Sequence, residues 1–171
     1  MNEILILYIL NKTQTTMYGL SKYINKNFGS ITKPGFGTLQ PALKKLESKK
    51  LIFSSKFYTD GGKPYFYYSV TQEGVSYLKD KLLKDNSSNP IQFIPMIKIK
   101  LSCSDFLDSS EQVNMFRMIK SKLLKFKSDA ENSLTDNVIQ NGFYSVVLNN
   151  VVCEYKNLIA LVEGFERACN S

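Results

Sequence analysis

Apolar residues recur at helical spacing along most of this chain and at strand spacing in one short stretch. Asn2 to Leu10 carries Ile4, Leu5, Leu7, Tyr8 and Leu10, which predicts a mostly buried helix ending near Asn11 and Lys12. Thr15 and Thr16 can cap a second helix, with Tyr18, Leu20, Ile24 and Phe28 facing inward and Gly29 as its stop. Pro34, Gly35 and Gly37 punctuate a loop from Ile31 to Gly37. Thr38 to Lys50 predicts a third helix. Leu39, Leu43 and Leu46, with Ala42 beside them, make its apolar face, and Gln40, Pro41, Lys44, Lys45 and Ser48 lie opposite. Pro41 is expected in the first turn, where a missing N–H costs little.

The period then changes. Leu51 to Tyr58 and Tyr65 to Val70 predict two strands, joined by the turn signal Asp60-Gly61-Gly62-Lys63. Alternation sends Phe66, Tyr68 and Val70 to one face, and Tyr65 and Tyr67 to the other; one face is expected to be core and the other partly exposed packing. Thr71 can cap a fourth helix with Val75, Leu78, Leu82 and Leu83. A polar stretch at 85–90 ends in proline and is expected to link a domain at 1–84 to a second at 91–171. Pro90 to Leu101 fits a short strand or a helix equally well. From Ser109-Ser110-Glu111 a helix carries Phe116, Ile119, Leu123, Phe126 and Ala130. Gly142 breaks the pattern. A last helix holds Tyr144, Leu148, Val151, Tyr155, Leu158, Val162, Phe165 and Cys169 in an unbroken alternation of four and three, a heptad seam.

Charge adds an asymmetry. Residues 1–90 hold thirteen lysines against six acids, whereas residues 91–171 are balanced, so the net +7 sits in the first half. Such a field attracts polyanions. Histidine is absent, which removes the commonest general base and metal ligand, and the three cysteines have no metal-ligand spacing. No enzyme, cofactor or metal is expected. The 43% hydrophobic content can supply a core, and no run is long and apolar enough for a membrane span. Met1-Asn2-Glu3 lacks the basic start of a signal peptide, so the expected location is cytoplasmic.

Helix, helix, loop, helix, then a hairpin with a glycine tip is the order of a winged helix-turn-helix. In that arrangement a polar helix face reaches base edges in the major groove, and the hairpin follows the backbone or minor groove. The fold class expected is mainly α with a small β-hairpin: a winged-helix DNA-binding domain followed by a helical dimerisation domain. The motifs Tyr18-Gly19-Leu20, Gly37-Thr38-Leu39-Gln40-Pro41-Ala42-Leu43-Lys44-Lys45-Leu46-Glu47, Leu51-Ile52, Gly61-Gly62-Lys63-Pro64 and Tyr67-Tyr68-Ser69-Val70-Thr71-Gln72-Glu73-Gly74 resemble the PadR-like regulators. The resemblance is close over 4–84 and looser beyond. It implies a homodimer on double-stranded DNA at an inverted-repeat operator, usually as a repressor and often released by a small effector. This chain departs from the pattern at Gln40, where the family usually has tyrosine, and at Tyr65 and Phe66, where it favours Arg and Lys. These departures imply weaker binding or base readout through Gln40, whose amide can pair with adenine N6 and N7.

The candidate DNA-facing residues are Lys33, Thr38, Gln40, Pro41, Lys44, Lys45, Gly62 and Lys63. Thr38 serves as cap, phosphate ligand or both, and the lysines as phosphate contacts or a solvated face. Tyr144, Leu148, Val151, Tyr155, Leu158, Val162 and Phe165 are the candidate dimerisation stripe, since so long a seam exceeds what a small domain readily hides. Tyr8, Phe93 and Met96 are candidates for an effector cavity, with ordinary core packing the alternative. A winged helix serving only protein contacts is the competing function.

Overall fold

The structure, a computed structural model, describes residues 1–84, 89–135 and 142–169. It is mainly helical, with one three-stranded antiparallel sheet. The chain divides into two compact units, Met1–Phe106 and Leu107–Ser171. That division falls after the expected 85–90 linker, of which 85–88 lie outside the described residues, and leaves the segment after Pro90 with the first unit.

In the first unit, α1 (Asn2–Lys12) buries every residue from Ile4 to Leu10. A helix apolar on all sides must be surrounded. Here it is met by α2 (Met17–Phe28), α3 (Phe36–Ser48), α4 (Gln72–Leu83) and the sheet. Thr16 caps α2 by accepting from the Gly19 N–H at 3.1 Å. Leu20, Ile24 and Phe28 point inward as expected; Tyr18 does not, being 67% exposed. Position 18 is two residues before Leu20, which puts it on the opposite side of the helix from Leu20, Ile24 and Phe28.

α3 starts at Phe36, two residues earlier than the pattern suggests, with Gly35 at its N-cap. Thr38 is therefore not the cap, and its hydroxyl donates to the Gly35 carbonyl at 2.9 Å. Pro41 falls in the second turn, where it removes the helical bond to the Gly37 carbonyl. α3 closes in a Schellman arrangement: the Leu51 N–H donates to Leu46 and the Lys50 N–H to Glu47, with Lys50 at φ +57°.

Strands β2 (Ile52–Tyr58) and β3 (Pro64–Val70) pair from Ile52–Val70 out to Tyr58–Pro64. A short strand unseen in the pattern, β1 (Thr15–Thr16), covers the other edge of β3 at Tyr67 and Tyr68. Thr71 caps α4, accepting from Gly74 N–H at 3.0 Å. Gly74 is needed there, because a Cβ would lie 2.0 Å from the Leu51 carbonyl oxygen. Pro90 to Ser102 forms a helix, α5, rather than a strand, capped by the Asn89 side chain with Pro90 at the first position. Lys100 on α5 is 2% exposed, and its ammonium donates to the Leu82 and Lys84 carbonyls at 3.0 and 2.6 Å. A cation at these carbonyls satisfies the C-terminus of α4.

The second unit is a pair of long helices, α6 (Ser109–Thr135) and α7 (Gly142–Cys169). A reciprocal capping box opens α6: Asp108 Oδ1 accepts from Glu111 N–H at 2.9 Å, and Glu111 Oε2 accepts from Asp108 N–H at 3.3 Å. Phe116, Ile119, Leu123, Phe126 and Ala130 are buried as expected. Phe116 meets Phe165 with ring centroids 5.6 Å apart and Phe126 meets Tyr155 at 6.1 Å, so the two helices run antiparallel. Lys120 bridges Glu163 at 2.8 Å and Glu166 at 3.3 Å along the same seam.

Candidate nucleic-acid interface

Leu39, Leu43 and Leu46 anchor α3 in the core, which turns Thr38, Gln40, Pro41 and Lys44 outward; all four are exposed. Gly35 has no side chain to cap the helix, so the N–H groups of Phe36 and Gly37 have no side-chain acceptor from it, while the Thr38 N–H donates to the Gly35 carbonyl at 3.0 Å. A Cβ at Gly35 or Gly37 would meet nothing within 4 Å, so a partner can approach the backbone there closely. An anion at this end would meet oriented N–H groups and the positive end of the helix dipole. Lys33 is exposed in the preceding loop.

Lys45 behaves differently from the free phosphate contact expected of it. Its ammonium lies 2.6 Å from Glu3 Oε1, turned back toward α1. Glu3 also accepts from the Tyr77 hydroxyl at 3.0 Å. Partial burial opposes ionisation of Glu3, but the bonds from Lys45 and Tyr77 outweigh it and hold the carboxyl below its ordinary range. Lys45 therefore links α3 to α1, a contact that one residue of spacing from Lys44 could not reveal.

At the far end of the sheet the hairpin turns through Thr59–Lys63. Thr59 N–H donates to the Lys63 carbonyl at 3.0 Å, and Gly62 takes φ +74°, which favours glycine. Lys63 is exposed at the tip. The aromatic block of the wing is not core: Phe66 is 42% exposed although Val70 and Tyr68, on its face, are partly covered. The sheet leaves the core halfway along the hairpin.

The remaining candidates fare unevenly. Tyr8 and Phe93 are buried and Met96 is half-buried. The Tyr8 hydroxyl donates to Asp105 Oδ1 at 2.7 Å, and Lys12 bonds Asp105 Oδ2 at 2.8 Å while lying over the Tyr8 ring. Burial first, then the Asp105 carboxylate, pushes the Tyr8 phenol up to about 12. This cluster fastens α1 to the 3-10 turn Ser104–Phe106 and accounts for Tyr8 without a ligand. Among the described residues no group of His, Cys, Asp and Glu could hold a metal, and no helix is long and apolar enough to cross a membrane.

The stripe on α7 is largely spent inside its own unit. Tyr155, Leu158 and Val162 are buried, and Phe165 meets Phe116 of α6 with the rings tilted at 45°. Tyr144 is 41% exposed, with Leu148 and Val151 half-buried. Apolar side chains beside the seam are exposed at Phe143, Val146 and Val147, at 83%, 69% and 62%, and further along α7 at Leu161.

A family model described as "Transcriptional regulator PadR-like family" matches residues 6–80. A PadR family transcription regulator from Clostridium difficile R20291 is 34% identical, with 47% of this chain and 81% of that one covered and a TM-score of 0.41. The chain belongs to the PadR-like family of transcriptional regulators. The solved structure of Bacillus subtilis PadR in complex with operator DNA aligns over 98% of both chains at 18% identity and TM-score 0.46. The same protein in complex with p-coumaric acid aligns over 99% of this chain and 98% of that one, at 18% identity and TM-score 0.41. No curated protein matches. The PadR-like match ends at residue 80, so it covers the winged helix and none of the helical pair.

Proposed function

We propose that this PadR-like chain is a sequence-specific DNA-binding repressor that acts as a homodimer on an inverted-repeat operator. The observation that carries the proposal is α3: a helix with an exposed polar face, an uncapped N-terminus and Lys44 and Lys33 nearby, in a half of the chain with net +7. Gln40 projects from the first turns, where side chains reach base edges. Regulators of this type pair two such helices about 34 Å apart to meet successive major grooves. The surface for pairing is the open apolar strip at Phe143, Val146 and Val147, because an exposed patch of this kind marks an interaction site.

The test is footprinting and salt-dependent binding on the region upstream of the chain's own gene. A two-fold symmetric footprint is expected. Neutralising about 4–8 phosphates per dimer gives a slope of log K against log salt of roughly −4 to −7. A flat salt response, or no protection, defeats the DNA role. Sedimentation of the wild type should give a dimer and Val147→Asp a monomer that melts like the wild type; a monomeric wild type removes the pairing.

A further inference from the structure

The aromatic rings that core packing leaves over in the winged unit gather in one place. β1 pairs with β3 only at Tyr67 and Tyr68, and the chain then turns away into α2. The edge of β3 from Pro64 to Phe66 is left uncovered by β1, and a groove of about 730 Å³ opens beside it. Small-molecule sites have volumes of roughly 300–1,000 Å³. Tyr18 from the first turn of α2 lines this one, with Tyr58, Tyr65 and Phe66 from the hairpin and Asp60 from its turn. No lysine or arginine is among the lining residues.

Packing does not account for these groups. Tyr58 is 61% and Phe66 42% exposed, Tyr18 is more exposed still, and none of the three stacks on another ring among the described residues. The Tyr58 ring already receives a cation, the Lys56 ammonium, 5.0 Å from its centre. The Asp60 carboxylate is exposed and enters no ion pair among the described residues. Ring faces carry the negative side of the aromatic quadrupole, and Asp60 adds a full negative charge. Both repel anions and attract cations. A small hard cation would need a cluster of oxygen ligands, and one carboxylate among tyrosines does not supply it. An organic cation, weakly hydrated and clothed in apolar groups, is held by ring faces and a single carboxylate.

We propose that this groove is a binding site for a lipophilic organic cation, held by the rings of Tyr18, Tyr58 and Phe66 and by the carboxylate of Asp60. The site works against the field of the chain as a whole. A net charge of +7 draws anions to the surface and repels cations, so selection of a cation over an anion of the same shape has to come from the groove. Every lining residue belongs to the winged unit, so each chain carries a complete site. Binding there does not depend on the DNA role.

Isothermal titration calorimetry of the full chain with tetraphenylphosphonium and with tetraphenylborate tests this, because the two ions share a size and shape and differ in sign. The phosphonium should bind at one site per chain, and the borate roughly tenfold more weakly or worse, the sum of a few ring contacts and one carboxylate. Tyr58→Leu, which keeps apolar cover but removes the ring, should weaken the phosphonium about 2- to 5-fold. Asp60→Asn should weaken it by up to about 5-fold and narrow its advantage over the borate. Asp60 sits in an exposed turn, so this variant carries the test if circular dichroism shows Tyr58→Leu unfolded. Borate binding as tightly as phosphonium overturns the proposal, as does a phosphonium that gives no binding heat up to its solubility. Phosphonium affinity unchanged in both variants places the ion elsewhere on the chain and overturns it too.

Discussion

Both units of this chain bury a seam and leave apolar side chains in solvent, but of different kinds: aliphatic residues and Phe143 at the start of α7 in one, aromatic rings on the wing and at the start of α2 in the other. The helical pair hides its seam, placing Phe116, Phe126, Tyr155, Leu158 and Val162 between α6 and α7 and balancing charge across the edge through Lys120. The winged unit buries α1 completely yet leaves Tyr18, Tyr58 and Phe66 in solvent and carries a lysine excess. A heptad seam is thus a statement about packing, and its partner can be the neighbouring helix of the same chain. Exposed rings on a basic surface are the features left over once packing is satisfied.

The sharpest break in that comparison is Leu158→Asp. With Leu158 only 9% exposed in the seam, a carboxylate there should cost about 3–5 kcal/mol and melt the helical pair. Far-UV circular dichroism should lose much of the helical signal. A variant that only monomerises, with unchanged melting, would return the residue to the intersubunit role that the heptad pattern suggested. On the winged unit, Gln40→Ala should lower the preference for operator over random DNA by about 1–3 kcal/mol if its amide makes a bidentate base contact. Lys44→Ala should weaken both equally and shallow the salt slope. An unchanged specificity ratio for Gln40→Ala would make α3 a positioning element only.

The elements were legible because their periodicity is strong: α1, the α2 core positions, the hairpin and the buried positions of α6 all follow from spacing. Three things were not. The short β1 has two residues, too few for any period. The true start of α3 at Phe36 is set by Gly35 and by the fold of the preceding loop, so Thr38 looked like a cap and Pro41 like a first-turn residue. The fates of Lys45 and of the α7 seam depend on partners distant in sequence, Glu3 and α6, which one-dimensional spacing cannot place. The departure at Phe66 was visible, but that its ring stays in solvent follows from where the sheet leaves the core.

Smaller effects probe the links within the winged unit. The Glu3 carboxyl is depressed from its ordinary 4.5 by Lys45 and Tyr77, against the opposing effect of burial. A depressed carboxyl stabilises above its unfolded value, and that stability is lost as pH falls through the folded one. Wild type should therefore lose stability on acidification below about pH 4.5, and Glu3→Gln should lose less over the same range; identical profiles in urea titrations at pH 6 and pH 3.5 would disprove the pair's contribution. Lys50 sits at φ +57° in the Schellman turn. Lys50→Gly should raise stability by about 1 kcal/mol, measured as a shift in urea midpoint; no gain would mean the lysine makes a compensating contact.

Lys100 has a consequence for how the protein can be observed. Its amine is sealed against the end of α4 and cannot meet a reagent in solution while α4 and α5 stay joined. In a chain rich in surface lysines, an acylating reagent should modify the others within minutes and Lys100 only when that junction opens. The labelling rate of one side chain then becomes a clock for the opening of the seal between the winged fold and the helix that follows it, readable by mass spectrometry without any mutation.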